Sequence, residues 1–148
     1  MNKEKQISVV NDSYIIEKDF YIDEYRCVII GHFMGHRCGY IQIPQDHKYY
    51  KVDYDSIHIP VHGGWTFSDF ANSNYPVESP KDSWWIGFDC AHFGDAKDFT
   101  LINACKDTDF INNVLQIEQR LSNHGVIRTT KYVEEELINA VEELKKIV

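Results

Sequence analysis

The chain has 148 residues, of which 43% are hydrophobic and 14% aromatic, and it carries a net charge of −8. This length suits one domain spanning residues 1–148 with a real core. The negative charge excludes a general nucleic-acid binder, which needs Lys and Arg to displace phosphate counterions, and no apolar run approaches membrane-spanning length.

In chain order, the first 24 residues predict one strand or short helix around Tyr14-Ile15-Ile16. Tyr25 to His32 is β-prone, and Cys27–Ile30 with Tyr40–Ile43 read as a hairpin pair around Gly31, Gly35 and Gly39. Pro44 to Asp55 is expected to be a loop. Ser56 to Val61 alternates, with Ile57, Ile59 and Val61 on one face, and Pro60 makes it an edge strand or bulge. Asp69 to Ser83, with two prolines, two Asn and three Ser, predicts a long surface loop able to act as a lid. Trp84 to Cys90 reads as a central strand.

Val114, Ile117 and Leu121 place a helix over Thr108 to Asn123, ending near Gly125. A last helix is capped by Thr129 or Thr130. It buries Val133, Leu137, Val141 and Leu144 and ends on Lys145-Lys146. The fold class is therefore α+β: a mostly antiparallel sheet covered by one or two C-terminal helices.

Four constellations carry chemistry. The run 84–95, Trp-Trp-Ile-Gly-Phe-Asp-Cys-Ala-His-Phe-Gly-Asp, mixes core aromatics with acids, a thiol and an imidazole. Asp89, His92 and Asp95 are thereby expected at the edge of a buried element, where packing positions them. An extended strand would send Asp89 and His92 to opposite faces, but a break at Ala91–Gly94 lets both reach one pocket. They read as metal ligands with His62 or Cys90, as an acid–base pair, or as hydrogen-bonding groups for a ligand. In His62-Gly63-Gly64-Trp65-Thr66, the glycines allow successive amides to face an anion, or a ligand to approach the main chain. A bulged strand is the plainer alternative.

His32-x-x-x-His36-x-Cys38 has metal-ligand residue types, but Gly31 and Gly35 argue against the helix that would align both rings. No metal or other cofactor is expected. A nucleophilic Cys90 beside His92 lacks a readable oxyanion site. Val126-Ile127-Arg128-Thr129-Thr130 sets an Arg and two hydroxyls at a helix N-terminus, which suits phosphate or a simple cap. Cys27, Cys38, Cys90 and Cys105 show no CxxC spacing, and Met1–Gln6 leads into no apolar signal region. Free thiols in a reducing cytoplasm are the expectation.

The stretches His62–Ser68 and Trp84–Asp95, with Gly35–Tyr40 and the Thr-Lys-Tyr-Val-Glu-Glu-Glu helix start, resemble a family of small proteins of unassigned function carried by bacteriophages and prophages. The likeness covers roughly residues 35–95 and 126–145, and the long 84–95 motif carries most of it. The resemblance implies a counter-defence setting. There, by analogy, such a protein acts as a sponge that sequesters a nucleotide-derived immune signal, of the Thoeris or CBASS kind, without cleaving it.

The site expected on that reading has three parts. Trp65, Trp84, Trp85, Phe88 and Phe93 would stack on or enclose the base. Asp89 and His92 would bind ribose or base edges, with Asp95 in the same ligand-binding set. His62, Gly63, Gly64, Thr66, Arg128 and Thr129 would hold phosphates. A homo-oligomer is expected, because a second subunit often completes a buried pocket. The alternatives are a hydrolase, with His62 and His92 as acid and base or Asp89, His92 and Asp95 holding a metal, and a protein inhibitor of a host enzyme presenting residues 44–55 and 69–83.

Overall fold

The structure is a computed structural model and describes residues 8–11, 14–71, 74–104 and 125–147. Six strands form one sheet in the order β1-β2-β3-β4-β6-β5: β1 (Ser8–Asn11), β2 (Tyr14–Ile22), β3 (Tyr25–His32), β4 (Arg37–Ile43), β5 (Phe67–Phe70) and β6 (Trp84–Asp89). Every pairing is antiparallel. A small parallel pair joins β7 (Asp95–Ala96) to β8 (Val126–Ile127). Among the described residues two α-helices follow: the short α1 (Phe99–Ala104) and α2 (Thr130–Lys145). The fold class is α+β, with the C-terminal helix packed on the sheet, as the sequence predicts.

Register explains both cores. Cys27 pairs with Ile41 and Ile41 with Ile86, so these side chains share one face. That face meets α2, whose Val133, Leu137, Ala140, Val141 and Leu144 are fully enclosed. Burying each large aliphatic side chain there stabilises the fold by about 1.5–3 kcal/mol. The opposite face carries Val28, Ile30, Cys38, Tyr40 and Trp85, and Tyr75 and Val77 cover it. Gly39 lets the helix approach the sheet closely: an added Cβ would stand 2.8 Å from the Phe88 ring and 3.0 Å from Val133.

The ends of α2 are satisfied as its sequence suggests. Thr129 Oγ1 accepts from the Tyr132 amide at 3.1 Å. At the other end His47 Nδ1 accepts from the Tyr49 amide, so the proton on Nε2 is donated to the Leu144 carbonyl at 2.9 Å.

Some elements depart from the sequence expectation. Ser56–Val61 joins no strand ladder, although Ile57 and Ile59 are buried. Pro60 has no amide to donate, and the Ile59 carbonyl is taken by Trp65 Nε1 at 2.8 Å. A 3-10 turn occupies Tyr54–Ser56. The 69–83 loop begins inside β5, and its Tyr75 and Val77 pack onto the sheet rather than standing off it. The helix expected over 108–123 lies outside the described residues.

One feature fastens the site region to the sheet. Register in β2 shifts between Ile16 and Lys18, so Glu17 occupies a bulge. Its carboxylate meets Arg37 at 2.6 Å. Arg37 also donates to Asp98 Oδ2 at 2.9 Å, to Thr130 Oγ1 at 3.0 Å and to the Arg128 carbonyl at 3.2 Å. Only 7% exposed, this guanidinium ties β2, β4, the approach to α1 and the start of α2 together.

Candidate functional site

The site grows from the β7–β8 bridge. Parallel pairing of Asp95 with Val126 brings Asp95 beside the residue that follows β8, Arg128. Asp95 Oδ1 accepts from Arg128 Nε at 2.8 Å. Its Oδ2 accepts from His62 Nε2 at 2.8 Å and from the His92 amide at 3.0 Å. The carboxylate is only 2% exposed. Burial pushes its pKa up, but the bonds from Arg128, His62 and the His92 amide outweigh that and hold it below the ordinary aspartate value.

His62 is fixed on three sides. A carboxylate can only accept, so Nε2 carries a proton toward Asp95, and Nδ1 is hydrogen-bonded to Tyr132 Oη at 2.8 Å. The His62 amide donates to Glu136 Oε1 at 2.7 Å. A hydrogen-bonded chain thus runs Tyr132–His62–Asp95, and Arg128 lies over the Tyr132 ring at 5.0 Å. Burial raises the Tyr132 phenol. A groove of about 560 Å³ opens beside His62, lined also by Glu136, Glu142 and Glu143.

Gly63 (φ +70°) continues the His62 turn and explains the glycine there: a Cβ would stand 2.2 Å from His92 Nε2. The His92 ring therefore packs on the Gly63 backbone. Its buried Nε2 lies 3.2 Å from Asp89 Oδ1 but out of hydrogen-bond alignment, and has no hydrogen-bond partner among the described residues. The strand ends at Asp89, and the turn that follows sets the His92 ring beside the Asp89 carboxylate, although of the two only Asp89 lines the cleft described next.

Asp89 faces a second cavity, a cleft of about 360 Å³ at the end of β4 and β6. Thr66 Oγ1 donates to Asp89 Oδ2 at 2.9 Å, and the Ala91 amide donates to Oδ1 at 3.1 Å. Around them stand His36, Cys38, Tyr40 and Phe67. Tyr40 and Phe67 meet edge to face at 5.3 Å, and His36 stacks on His32 at 4.6 Å. Burial and the neighbouring His32 lower the His36 pKa to about 4, leaving a neutral imidazole at pH 7. Burial pushes the Cys38 thiol up to about 12, so it is not a nucleophile at neutral pH.

The expected site residues thus divide. His62, Gly63, His92, Asp95 and Arg128 come together, and Thr66 and Asp89 join them through His92. Trp85 is fully buried in the sheet's second core, its Nε1 bonded to Ser79 Oγ at 3.2 Å. Trp65 and Phe88 pack on each other at 5.8 Å, and Phe88 shows only its edge to the cleft. Thr129 is occupied as the helix cap. The Gly64 amide donates to the Val61 carbonyl at 3.0 Å.

The described arginines are also occupied. Among the described residues, all three arginines pair with carboxylates: Arg26 with Asp19, Arg37 with Glu17 and Asp98, and Arg128 with Asp95. No group of three or more His, Cys, Asp or Glu among the described residues is arranged to hold a metal ion.

Sequence reasoning did not place Tyr132, Glu136, Tyr40 or Phe67 at the site. Tyr40 and Phe67 carry a partial signal, since both face the same sheet side as Asp89 by strand alternation. Tyr132 and Glu136 sit one turn apart on α2, but nothing in the sequence says which segment that face meets. Set against known proteins, the chain matches no family model, no curated protein and no solved structure.

Proposed function

We propose that this chain is a small-molecule binding protein that sequesters a nucleotide-derived signal, in the counter-defence setting that the phage-protein resemblance implies. The observation that carries the reading is the β4–β6 cleft: an aromatic-walled slot whose one carboxylate, Asp89, is held in place by Thr66 and the Ala91 amide before any ligand arrives. Preorganised walls and a fixed acceptor favour tight retention, because little ordering is left to be done on binding. The acidic chain and the paired arginines among the described residues fit a small ligand better than a nucleic acid.

The test is to incubate the purified chain with a panel of nucleotide immune signals, remove it, denature it and identify what is released by mass spectrometry. Depletion and recovery of an unchanged signal supports sequestration. No depletion refutes it. The same preparation on a sizing column with light scattering checks the expected homo-oligomer.

One observation favours a second reading, a hydrolase. The Tyr132–His62–Asp95 chain has the connectivity of a proton relay and borders an open groove. Recovery of a converted signal, with conversion abolished in His62→Ala, would select this reading over the first.

A further inference from the structure

We infer that the cleft at the end of β4 and β6 receives the nucleoside end of the ligand, with Asp89 selecting for hydrogen-bond donors, and that the phosphates stay outside it. This deepens the sequestration reading and rests on it. The argument is one of charge and shape. Asp89 presents a carboxylate to the cleft, and each of its oxygens has accepted one conventional bond, from Thr66 and from the Ala91 amide. A carboxylate oxygen has room for a second donor. The His92 imidazole stands 3.2 Å from Asp89 Oδ1, packed on Gly63 and outside the cleft lining. The cleft lining itself holds no Lys or Arg: His36 is a neutral imidazole, Cys38 a protonated thiol, and burial raises the Tyr40 phenol. A phosphate seated there would face a carboxylate with no lysine or arginine in the lining, whereas an exocyclic amine or ribose hydroxyl would find an acceptor.

The walls suit a planar ring. The Tyr40 ring lies close over Gly87, where an added Cβ would fall 2.4 Å from it, and Phe67 stands edge-on to Tyr40. The His36 imidazole also lines the cleft and is backed by His32 with an interplanar angle of 19°. At about 360 Å³ the cleft lies near the lower end of ligand-pocket sizes, roughly 300–1,000 Å³. That is room for a nucleoside rather than for a whole dinucleotide. The arrangement also reassigns the polar recognition that the sequence suggests for phosphates at Thr66: its hydroxyl orients Asp89 instead.

The experiment is titration calorimetry on the full chain with adenosine, guanosine and their 5′-monophosphates. One nucleoside should bind within about threefold of its monophosphate. Asp89→Asn should weaken that nucleoside tenfold or more, the scale of one charge-assisted hydrogen bond. Ala91→Trp should abolish binding while keeping the wild-type melting temperature, because Ala91 is exposed and lines the cleft. A monophosphate more than tenfold tighter than its nucleoside overturns the inference. So does unchanged binding by a folded Ala91→Trp protein. Either result leaves sequestration itself standing if mass spectrometry still recovers a retained signal. No binding of any probe, together with no retained signal, overturns both.

Discussion

Asp95→Asn is the substitution that most directly tests the account of the site. The amide is nearly isosteric, so packing is kept and no cavity term enters. What is lost is the charge that three donors address: Arg128 Nε, His62 Nε2 and the His92 amide. Hydrogen bonds to a charged group contribute about 1.5–3 kcal/mol each. The asparagine oxygen keeps one side, but its NH2 must face either Arg128 or His62, donor against donor. Arg128 is 25% exposed and can regain some water, which tempers the cost. The net expectation is about 3 kcal/mol, near the lower end for breaking a buried pair, and a fall in melting temperature of about 6–12 °C for a domain of this size.

The pH dependence supplies a second readout. The folded pKa of Asp95 lies below its ordinary value, so its stabilisation is present at neutral pH and is lost as pH falls through the folded pKa. The variant should lose part of the wild type's acid-limb slope below about pH 4. Urea denaturation at pH 7 and pH 3 measures both. A variant within 0.5 kcal/mol of wild type at pH 7, by this roughly additive accounting, would refute the view that Asp95 anchors the site.

Three further outcomes are expected. His36 has a folded pKa of about 4 against an ordinary 6.5, so the unfolded chain binds more protons between those values and stability falls as pH drops from 6.5 toward 4; His36→Gln should flatten that window by an amount on the order of 2–3 kcal/mol, read from denaturation midpoints across pH. Gly39→Ala should destabilise by about 1–3 kcal/mol through overpacking against Phe88 and Val133, and a neutral result in urea denaturation would show that α2 can back away. Arg37→Leu leaves Glu17 and Asp98 without their shared cation and should cost about 3–5 kcal/mol, visible as a lowered thermal midpoint.

What was legible in the sequence is what local pattern determines. β-prone residues and alternation mark the pairing of Cys27–Ile30 with Tyr40–Ile43, an apolar run marks β6 as a central strand, and a 3.6-residue stripe with a hydroxyl cap marks α2. Where the pattern misled, a backbone constraint was the cause: Ser56–Val61 alternates like a strand, but Pro60 and the Trp65 bond to the Ile59 carbonyl remove it from any ladder. Aromatic content was ambiguous for a different reason. Trp85 and Phe67 are both consistent with a sheet face, and only the register of β6 against β4 and β5 puts the first inside the core and the second on the wall of a cleft.

The polar site was half legible, and the division has a physical logic. Asp89, His92 and Asp95 lie within seven residues, so any turn there must bring them close. Their partners come from far along the chain: His62 on the loop before β5, Arg128 after β8 and Tyr132 on α2. Arg128 looks from sequence like a phosphate donor at a helix start, which is a statement about field and residue type. Whether that charge is available depends on a carboxylate 33 positions away, delivered by a two-residue parallel bridge. The same bridge decides the chemistry. By committing Arg128 to Asp95, and Asp95 to His62, it converts a set of apparent ligand-binding groups into a rigid support. That support holds His92 against Gly63 and leaves Asp89 as the carboxylate facing the β4–β6 cleft. Loosening the support by Asp95→Asn should therefore weaken ligand binding through Asp89 without any contact between residue 95 and the ligand.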